Sequence, residues 1–487
     1  MEYILSEVEP KDVLRYFEQI SAIPHGSYHV DEISDFIAQF AKEQGLEYIQ
    51  DEEKNVIIFK PAQGAAADAA PIMLQGHIDM VLEKIKENPI NMETEPIRLI
   101  LDGDILHADG TTLGGDDGIA VAMMMAALAD KEMVHPALEC IFTTNEETGM
   151  DGMVALDPAP LKAKRLINLD SEEEGIFTVG CAGGSHQEMT LPINRSLHNG
   201  TGLHLTVSGL KGGHSGACIH LGRANADYIM IRLLHKLMKK EDLRLKEICG
   251  GGKDNAIPRE CEATVLLDTD VDREKLEKKI KSFCKDIEGE YRYTDPDIDI
   301  RYEWIEYGQS MVEAVSKKET KNIVRLFMAM PNGLIESDPN IKDMPQTSLN
   351  LGILDTQEDE IRATFLIRSS INSQKKLMSD KVKIVAEAFG AEMNVGGTYP
   401  AWEYAPESPL RDMMIRVYKE ETGKDPVISI THGGLECGLL ASKIEGLDSI
   451  SIGPDMEGIH TPDEKLDLAS VRRCWSFLKA VLREAAK

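Results

Sequence analysis

Hydrophobic positions recur along the chain in two rhythms, and the switch between them maps its elements. Val13, Leu14, Phe17 and Ile20 return at helical spacing, as do Ile33, Phe36, Ile37 and Phe40, so Pro10 to Gly45 reads as two amphipathic helices. Asn55 to Lys60 reads as a short apolar strand, and the Ala-rich stretch from Gly64 to Pro71 as a loop. Ile72-Met73-Leu74 begins a second strand, which runs straight into Gln75-Gly76-His77. Ile119 to Leu128, rich in Ala and Met, predicts an apolar helix. Ala137 to Phe142, Arg165 to Leu169, Val427 to Ile430 and Leu447 to Ile452 predict further strands, and Ser470 to Ala485 a last helix. Strand, turn and helix in this order predict an α/β domain with a mixed, mostly parallel sheet.

After about Ser185 the rhythm changes. Leu203 to Val207 alternates, Ala263 to Leu267 and Ser348 to Ile353 also read as strands, and helices from Ala224 to Lys239 and Arg273 to Cys284 intervene. That mixture fits an α+β layer rather than a continued parallel sheet. Near Ala401 the first pattern returns. The expected organisation is therefore one α/β domain, 1–186 and 399–487, split by an inserted α+β domain, 187–398. A chain of 487 residues is too long for one core, which agrees with two domains. No clear internal repeat marks the insert.

Charge narrows the partners. The formal net charge of −30 argues against a nucleic-acid or anionic-membrane partner, each of which needs a basic face, and favours cations. The start, Met1-Glu2-Tyr3-Ile4-Leu5-Ser6-Glu7, lacks a basic region followed by an apolar one, and no run approaches membrane-spanning length. The 8 cysteines include no close C-x-x-C pair, which reads as reduced thiols in a cytoplasmic protein and makes Cys a poor ligand candidate.

The chemistry gathers at predicted strand ends and loops. Thr143-Thr144-Asn145-Glu146-Glu147-Thr148-Gly149 follows a buried strand, at the rim where α/β proteins place their sites. Adjacent side chains there point in different directions, so one carboxylate can hold a metal while its neighbour faces a water. His77 and Asp79, two apart in extended backbone, face the same way, and the acid can buttress the imidazole. Gly114-Gly115-Asp116-Asp117-Gly118 places two acids after a Gly-rich turn, more than a helix cap needs. Asp170 closes another strand, and His460 lies far downstream in a Gly/Pro loop. Imidazole plus carboxylate without thiolate suits Zn²⁺, Mn²⁺ or Co²⁺. One His and one acid per metal plus a shared acid uses His77, Asp116, Glu147, Asp170 and His460.

In this order and context the motifs resemble those of the M20 co-catalytic zinc peptidases, over essentially the whole chain. Within that family the pattern is most similar to the aminoacyl-histidine (Xaa-His, or cytosolic non-specific) dipeptidases. The added cues are Gly212-Gly213-His214-Ser215-Gly216, Asn255-Ala256-Ile257-Pro258-Arg259 and His432-Gly433-Gly434-Leu435-Glu436-Cys437-Gly438. The resemblance implies two Zn²⁺ per chain, replaceable by Mn²⁺ or Co²⁺. Asp116 bridges them, His77 and Asp170 complete one, and Glu147 and His460 the other. Glu146 is then the general base, and Asp79 orients His77. The inserted domain becomes a lid whose His214, Asn255 and Arg368 reach the substrate, and through which a homodimer forms. Arg368 would take the carboxylate of a small dipeptide, and Glu436 is the candidate to meet its amino group. Many members carry Lys after the acidic pair where this chain has Gly118, which is not a ligand position. An aminoacylase or other amide hydrolase of the same fold is the alternative, separated by the pocket around Glu436. A metal-stabilised scaffold without catalysis is disfavoured by the presence of Glu146.

Overall fold

The structure, a computed structural model, describes residues 4–239, 241–339 and 341–487. The chain divides into two compact units, one comprising Met1–Gly180, Tyr404–Ile430 and Leu435–Lys487, the other Cys181–Glu403 and Thr431–Gly434.

The first unit is built on an eight-stranded sheet in the order Glu47–Gln50, Val56–Lys60, Leu138–Thr143, Ile72–His77, Arg165–Asn168, Asp448–Ser451, Ile176–Cys181 and Val427–Thr431. Its four central strands, from Leu138–Thr143 to Asp448–Ser451, pair in parallel. The strands Leu138–Thr143 and Ile72–His77 are buried at every position, as a strand covered on both faces must be. Helix Gly115–Ala129 is buried almost all round, which explains its run of Ala and Met. Helices Lys11–Ser21 and Asp31–Gln44 bury the stripes read from the sequence, including Val13, Leu14, Phe17, Ile33 and Ile37. A small four-stranded sheet joins Leu99–Asp102 and Ile105–Ala108 to Met456–Glu457 and Lys465–Asp467.

The second unit carries a nine-stranded sheet whose registered pairs are all antiparallel. Helices Ala226–Met238, Arg273–Tyr291, Lys317–Ala329 and Asn372–Ala388 bury one face each in a single apolar core with that sheet, among them Ile229, Leu233, Ile280, Phe327 and Val382. This is the α+β insert, running 181–403 where the sequence pattern places it at 187–398. The borders differ because Ile176–Cys181 passes almost without a loop into Gly183–Pro192, so the change of partner hides inside continuous strand. The turn Thr431–Gly434 also belongs with the insert, through hydrogen bonds such as Ala182 N–H to Thr431 O. Among the described residues no helix is long and apolar enough to cross a membrane.

Candidate metal centre

In the first unit the residues singled out by their chemistry converge at the carboxyl ends of the central parallel strands. His77 ends Ile72–His77, with Asp79 just beyond; Glu146 and Glu147 follow Leu138–Thr143, and Asp170 follows Arg165–Asn168. Parallel register levels these ends, with His77 opposite Thr143 and Gln75 opposite Asn168. Asp116 comes from the start of helix Gly115–Ala129, where the Asp116–Asp117 peptide is cis. His460 comes from the loop between Met456–Glu457 and Lys465–Asp467. Asn145, just before Glu146, and His460 itself both adopt left-handed backbone, φ 54° and 60°.

Asp116 stands in the middle. Its Oδ1 lies 3.1 Å from His77 Nε2 and its Oδ2 3.2 Å from His460 Nε2. His460 Nε2 is also 2.8 Å from Glu147 Oε1, and His77 Nε2 is 3.7 Å from Asp170 Oδ1. The donors thus form two groups that share Asp116, His77/Asp116/Asp170 and Asp116/Glu147/His460, each with ligand atoms within 4.8 Å of one another. A third trio, His77, Glu146 and Glu147, meets the same limit.

Asp79 does two jobs. Its carbonyl oxygen accepts from His77 Nδ1 at 2.9 Å, which leaves Nε2 to face Asp116 and Asp170. Its carboxylate accepts from Ser27 Oγ at 2.7 Å and from the backbone N–H groups of Glu146 and Glu147 at 3.0 and 3.4 Å. The second job is invisible in the sequence, because backbone donors carry no residue identity. Asp117, fully buried, accepts from the His77 N–H at 3.2 Å.

The side chains press charge on one another. Burial opposes charging of His77, yet its hydrogen bonds with Asp116 and Asp79 hold it well above the usual histidine range. Asp116 and then Glu147 raise His460 to about 11. Burial pushes Asp116 up, but His460 and His77 outweigh it and hold the carboxyl below its ordinary value. Asp170 and Glu146 go the other way, both well above the usual range, burial being the main cause, with Asp117 adding to Asp170 and Glu147 to Glu146. Burial also raises Glu147. Among the described residues no lysine or arginine ion-pairs with Asp116, Glu147 or Asp170. Two imidazoles and three carboxylates facing one another, uncompensated by any such cation and without thiolate, fit a pair of divalent ions sharing Asp116.

Glu436 opens helix Glu436–Lys443 and is fully buried. Its Oε2 accepts from Gln75 Nε2 at 2.5 Å and Thr143 Oγ1 at 2.6 Å, while Oε1 has no hydrogen-bond partner among the described residues. Burial pushes this carboxyl up to about 7.

The inserted unit gathers its own set. Arg368, on strand Glu360–Ser369, is 5% exposed. Its Nη1 donates to Tyr399 Oη at 3.0 Å and His432 O at 3.5 Å, and its Nη2 lies 3.4 Å from His214 Nε2. The short strand Gly213–His214 pairs with Ala256–Ile257, and Ser215 N–H donates to Asn255 O at 2.7 Å, so the exposed side chains of His214 and Asn255 sit on neighbouring loops. His432, quoted in a motif but given no role, is buried with Nε2 2.8 Å from Ser348 Oγ, and burial, then Arg368, lowers it to about 3.

Comparison with known proteins adds to this geometry. The model of peptidase family M20/M25/M40 matches residues 73–484. The cytosol non-specific dipeptidase of Escherichia coli (strain K12) is 36% identical over 483 residues, covering 99% of both chains. The crystal structure of an aminoacylhistidine dipeptidase from Vibrio alginolyticus superposes with a TM-score of 0.89 at 34% identity, covering 98% of this chain and 97% of that one. The aminopeptidase PepT from Bacillus cereus ATCC 10987 shares the fold, with a TM-score of 0.57 at 16% identity over 98% of this chain and 99% of that one.

Proposed function

The chain belongs to peptidase family M20/M25/M40 and is a hydrolase, and from that premise we propose a metal-dependent dipeptidase acting on unblocked dipeptides, Xaa-His among them. The dipeptide substrate is supported by the two relatives named as dipeptidases, which resemble the chain along nearly its whole length. The observation that carries the metal reading is Asp116, whose two oxygens face two different imidazoles.

In this reading His77 and Asp170 would hold one ion, Glu147 and His460 the other, and Asp116 would serve both, with Zn²⁺ as the native metal and Mn²⁺ or Co²⁺ as substitutes. Bound there, divalent ions supply Lewis acidity that polarises the amide carbonyl and lowers the pKa of a water to about 7 at zinc. Glu146 would serve as the general base, taking a proton from the attacking water as its oxygen bonds to the carbonyl carbon and passing that proton to the nitrogen as the C–N bond breaks. Asp79 keeps Glu146 in place through the backbone N–H it accepts. From the inserted unit, His214 donates to the developing oxyanion, Asn255 adds a polar contact, and Arg368 pairs with the dipeptide's terminal carboxylate. The free Oε1 of Glu436 accepts from its ammonium. We place the enzyme in the cytosol, as the name of the Escherichia coli relative supports, and as a homodimer.

The test is a panel of Xaa-His and other dipeptides, assayed with and without chelator, alongside a metal count. Turnover that survives chelation, or active protein with fewer than two ions per chain, sinks the two-metal reading. Failure on every Xaa-His substrate sinks that specificity, and a single-chain mass in sedimentation equilibrium sinks the dimer.

A further inference from the structure

Glu464 ends the segment His460-Thr461-Pro462-Asp463-Glu464 and is 2% exposed. A glutamate so buried needs partners for its carboxylate. It finds them in another part of the first unit. Oε2 accepts from the backbone N–H of Leu113 at 2.7 Å and of Gly114 at 3.3 Å; Oε1 accepts from that of Gly115 at 2.8 Å, with the Asp116 N–H at 3.5 Å. These are consecutive amides of the turn that ends in Asp116, folded into a concave nest around one carboxylate. The backbone at Asp116 and Asp117 is non-helical, so these amides stand ahead of the continuous helix and do not bond within it.

The glycines of the turn make sense on this geometry. Gly114 sits at φ 71°, a left-handed conformation, and a Cβ there would stand 2.8 Å from Met80 Sδ. A Cβ on Gly115 would stand 3.2 Å from Glu464 Oε1. Side chains at these positions would crowd both the turn and the carboxylate it cradles. Beyond Glu464 the chain enters strand Lys465–Asp467, held in register with Ile105–His107. The segment carrying His460 is therefore fixed at its downstream end by a strand and, just before it, by this carboxylate.

We propose that Glu464 is a positioning residue of the metal centre, one that ties the Leu113–Asp116 turn to the His460 segment and so sets the separation between Asp116 and His460. That separation is 3.2 Å between Asp116 Oδ2 and His460 Nε2. The inference rests on Asp116 and His460 being ligands, as proposed above. Glu464 offers no atom to the ligand groups, so its effect passes through the backbone of Asp116. Outer partners of this sort hold first ligands in place, and their loss costs about 10–100-fold in metal affinity.

The experiment compares the wild-type protein with Glu464→Gln and Glu464→Asp. Gln keeps the length and loses the charge; Asp keeps the charge and loses the reach. Zn²⁺ affinity is measured by competition with a chromophoric chelator, and the visible spectrum of the Co²⁺-loaded protein reports ligand geometry. Circular dichroism and melting of the metal-free protein report folding. The expected result is a folded Gln variant that binds at least one ion about 10–100-fold more weakly, with an altered Co²⁺ spectrum. Its kcat should recover in excess metal while KM for a dipeptide stays near the wild-type value. Folded variants with wild-type affinity and spectrum, whatever their melting temperature, overturn the inference. So does a failure of both variants to fold, which would make Glu464 a structural residue only. A wild-type protein that takes up no metal would instead bring down the ligand reading itself, and this inference with it.

Discussion

Replacing Glu146 and Glu147 in turn by glutamine separates two roles that lie side by side. Gln keeps the shape of each side chain, and both backbone N–H groups remain bound to the Asp79 carboxylate at 3.0 and 3.4 Å, so neither change should move the chain. Glu147 Oε1 is 2.8 Å from His460 Nε2 and belongs to the group that includes Asp116. Its amide replacement loses an anionic ligand, which should weaken binding of one ion by more than the roughly 10–100-fold typical of an outer partner. Glu146 has a different task. A general base contributes about 10²–10⁴ in rate, which corresponds to about 3–5 kcal/mol of barrier. Glu146→Gln should therefore keep two ions per chain and lose 10²–10⁴ in kcat. Metal content by mass spectrometry and kcat at saturating metal are read on the same samples. Retention of more than roughly a tenth of kcat in Glu146→Gln would refute the base assignment, set against the 10²-fold lower bound. Retention of wild-type metal affinity in Glu147→Gln would refute the ligand assignment. A metal-depleted Glu146→Gln protein would show that the third close trio, His77, Glu146 and Glu147, is the one that matters.

Other expectations are independent of that pair. Asp79→Ala strips the acceptor from Ser27 Oγ and two backbone N–H groups, which should cost about 3–9 kcal/mol at about 1–3 kcal/mol for each of the three abandoned donors, read by urea unfolding of the metal-free protein. Arg368→Ala should raise KM for dipeptides by about 10-fold or more while leaving their C-terminal amides little changed, since a charge-assisted hydrogen bond is worth about 1.5–3 kcal/mol; equal loss on both substrates would contradict the carboxylate role. Asp227, fully buried in the inserted unit, is pushed up to about 8 by burial from 3.8. The folded chain therefore keeps a proton that the unfolded chain releases, and this group's contribution is fullest below pH 3.8 and is lost as pH rises towards 8. Asp227→Asn should flatten that decline, by up to about 1.4 kcal/mol per pH unit, in unfolding curves between pH 5 and 8; parallel wild-type and variant curves would count against it.

Much of the fold was legible because buried parallel strands are continuous apolar runs. Ile72–His77 and Leu138–Thr143 have no exposed position and show as such in the sequence. The edge strand Glu392–Tyr399 of the inserted unit was not legible. It is exposed or half-buried throughout, so nothing in it alternates. Helix Arg273–Tyr291 runs on past Cys284, where the sequence reading ends it, and past that point it buries only Ile287, which leaves a weak stripe to read. That His77, Asp116, Glu147, Asp170 and His460 gather in one place was legible from their chemistry and from strand-end and loop position. The short segment Thr431–Gly434 was not assigned to the insert, since its attachment rests on backbone hydrogen bonds to residues far away in the chain.

The part of the site that the sequence concealed shares one physical principle. Asp79 holds the backbone of Glu146 and Glu147, and Glu464 holds the backbone from Leu113 to Asp116. Beneath them Glu436 holds Gln75 and Thr143, and Gln75 in turn accepts from Asn168, whose own oxygen takes the Asp170 N–H. In each case an acid or an amide, not a lysine or arginine, fixes an element that carries one of the residues proposed to hold a metal. A cation could have steadied the same carboxylates, but it would neutralise them and compete with the ions they are proposed to bind. Backbone N–H groups hold an acid in position through dipoles and leave the ligands' charge unspent. The consequence is a set of carboxylates crowded around two imidazoles, with Asp170 and Glu146 driven well above their ordinary pKa. Such crowding is costly in a folded protein unless divalent charge enters to offset it. The excess of acids over bases at this spot is therefore better explained by metal binding than by surface solvation.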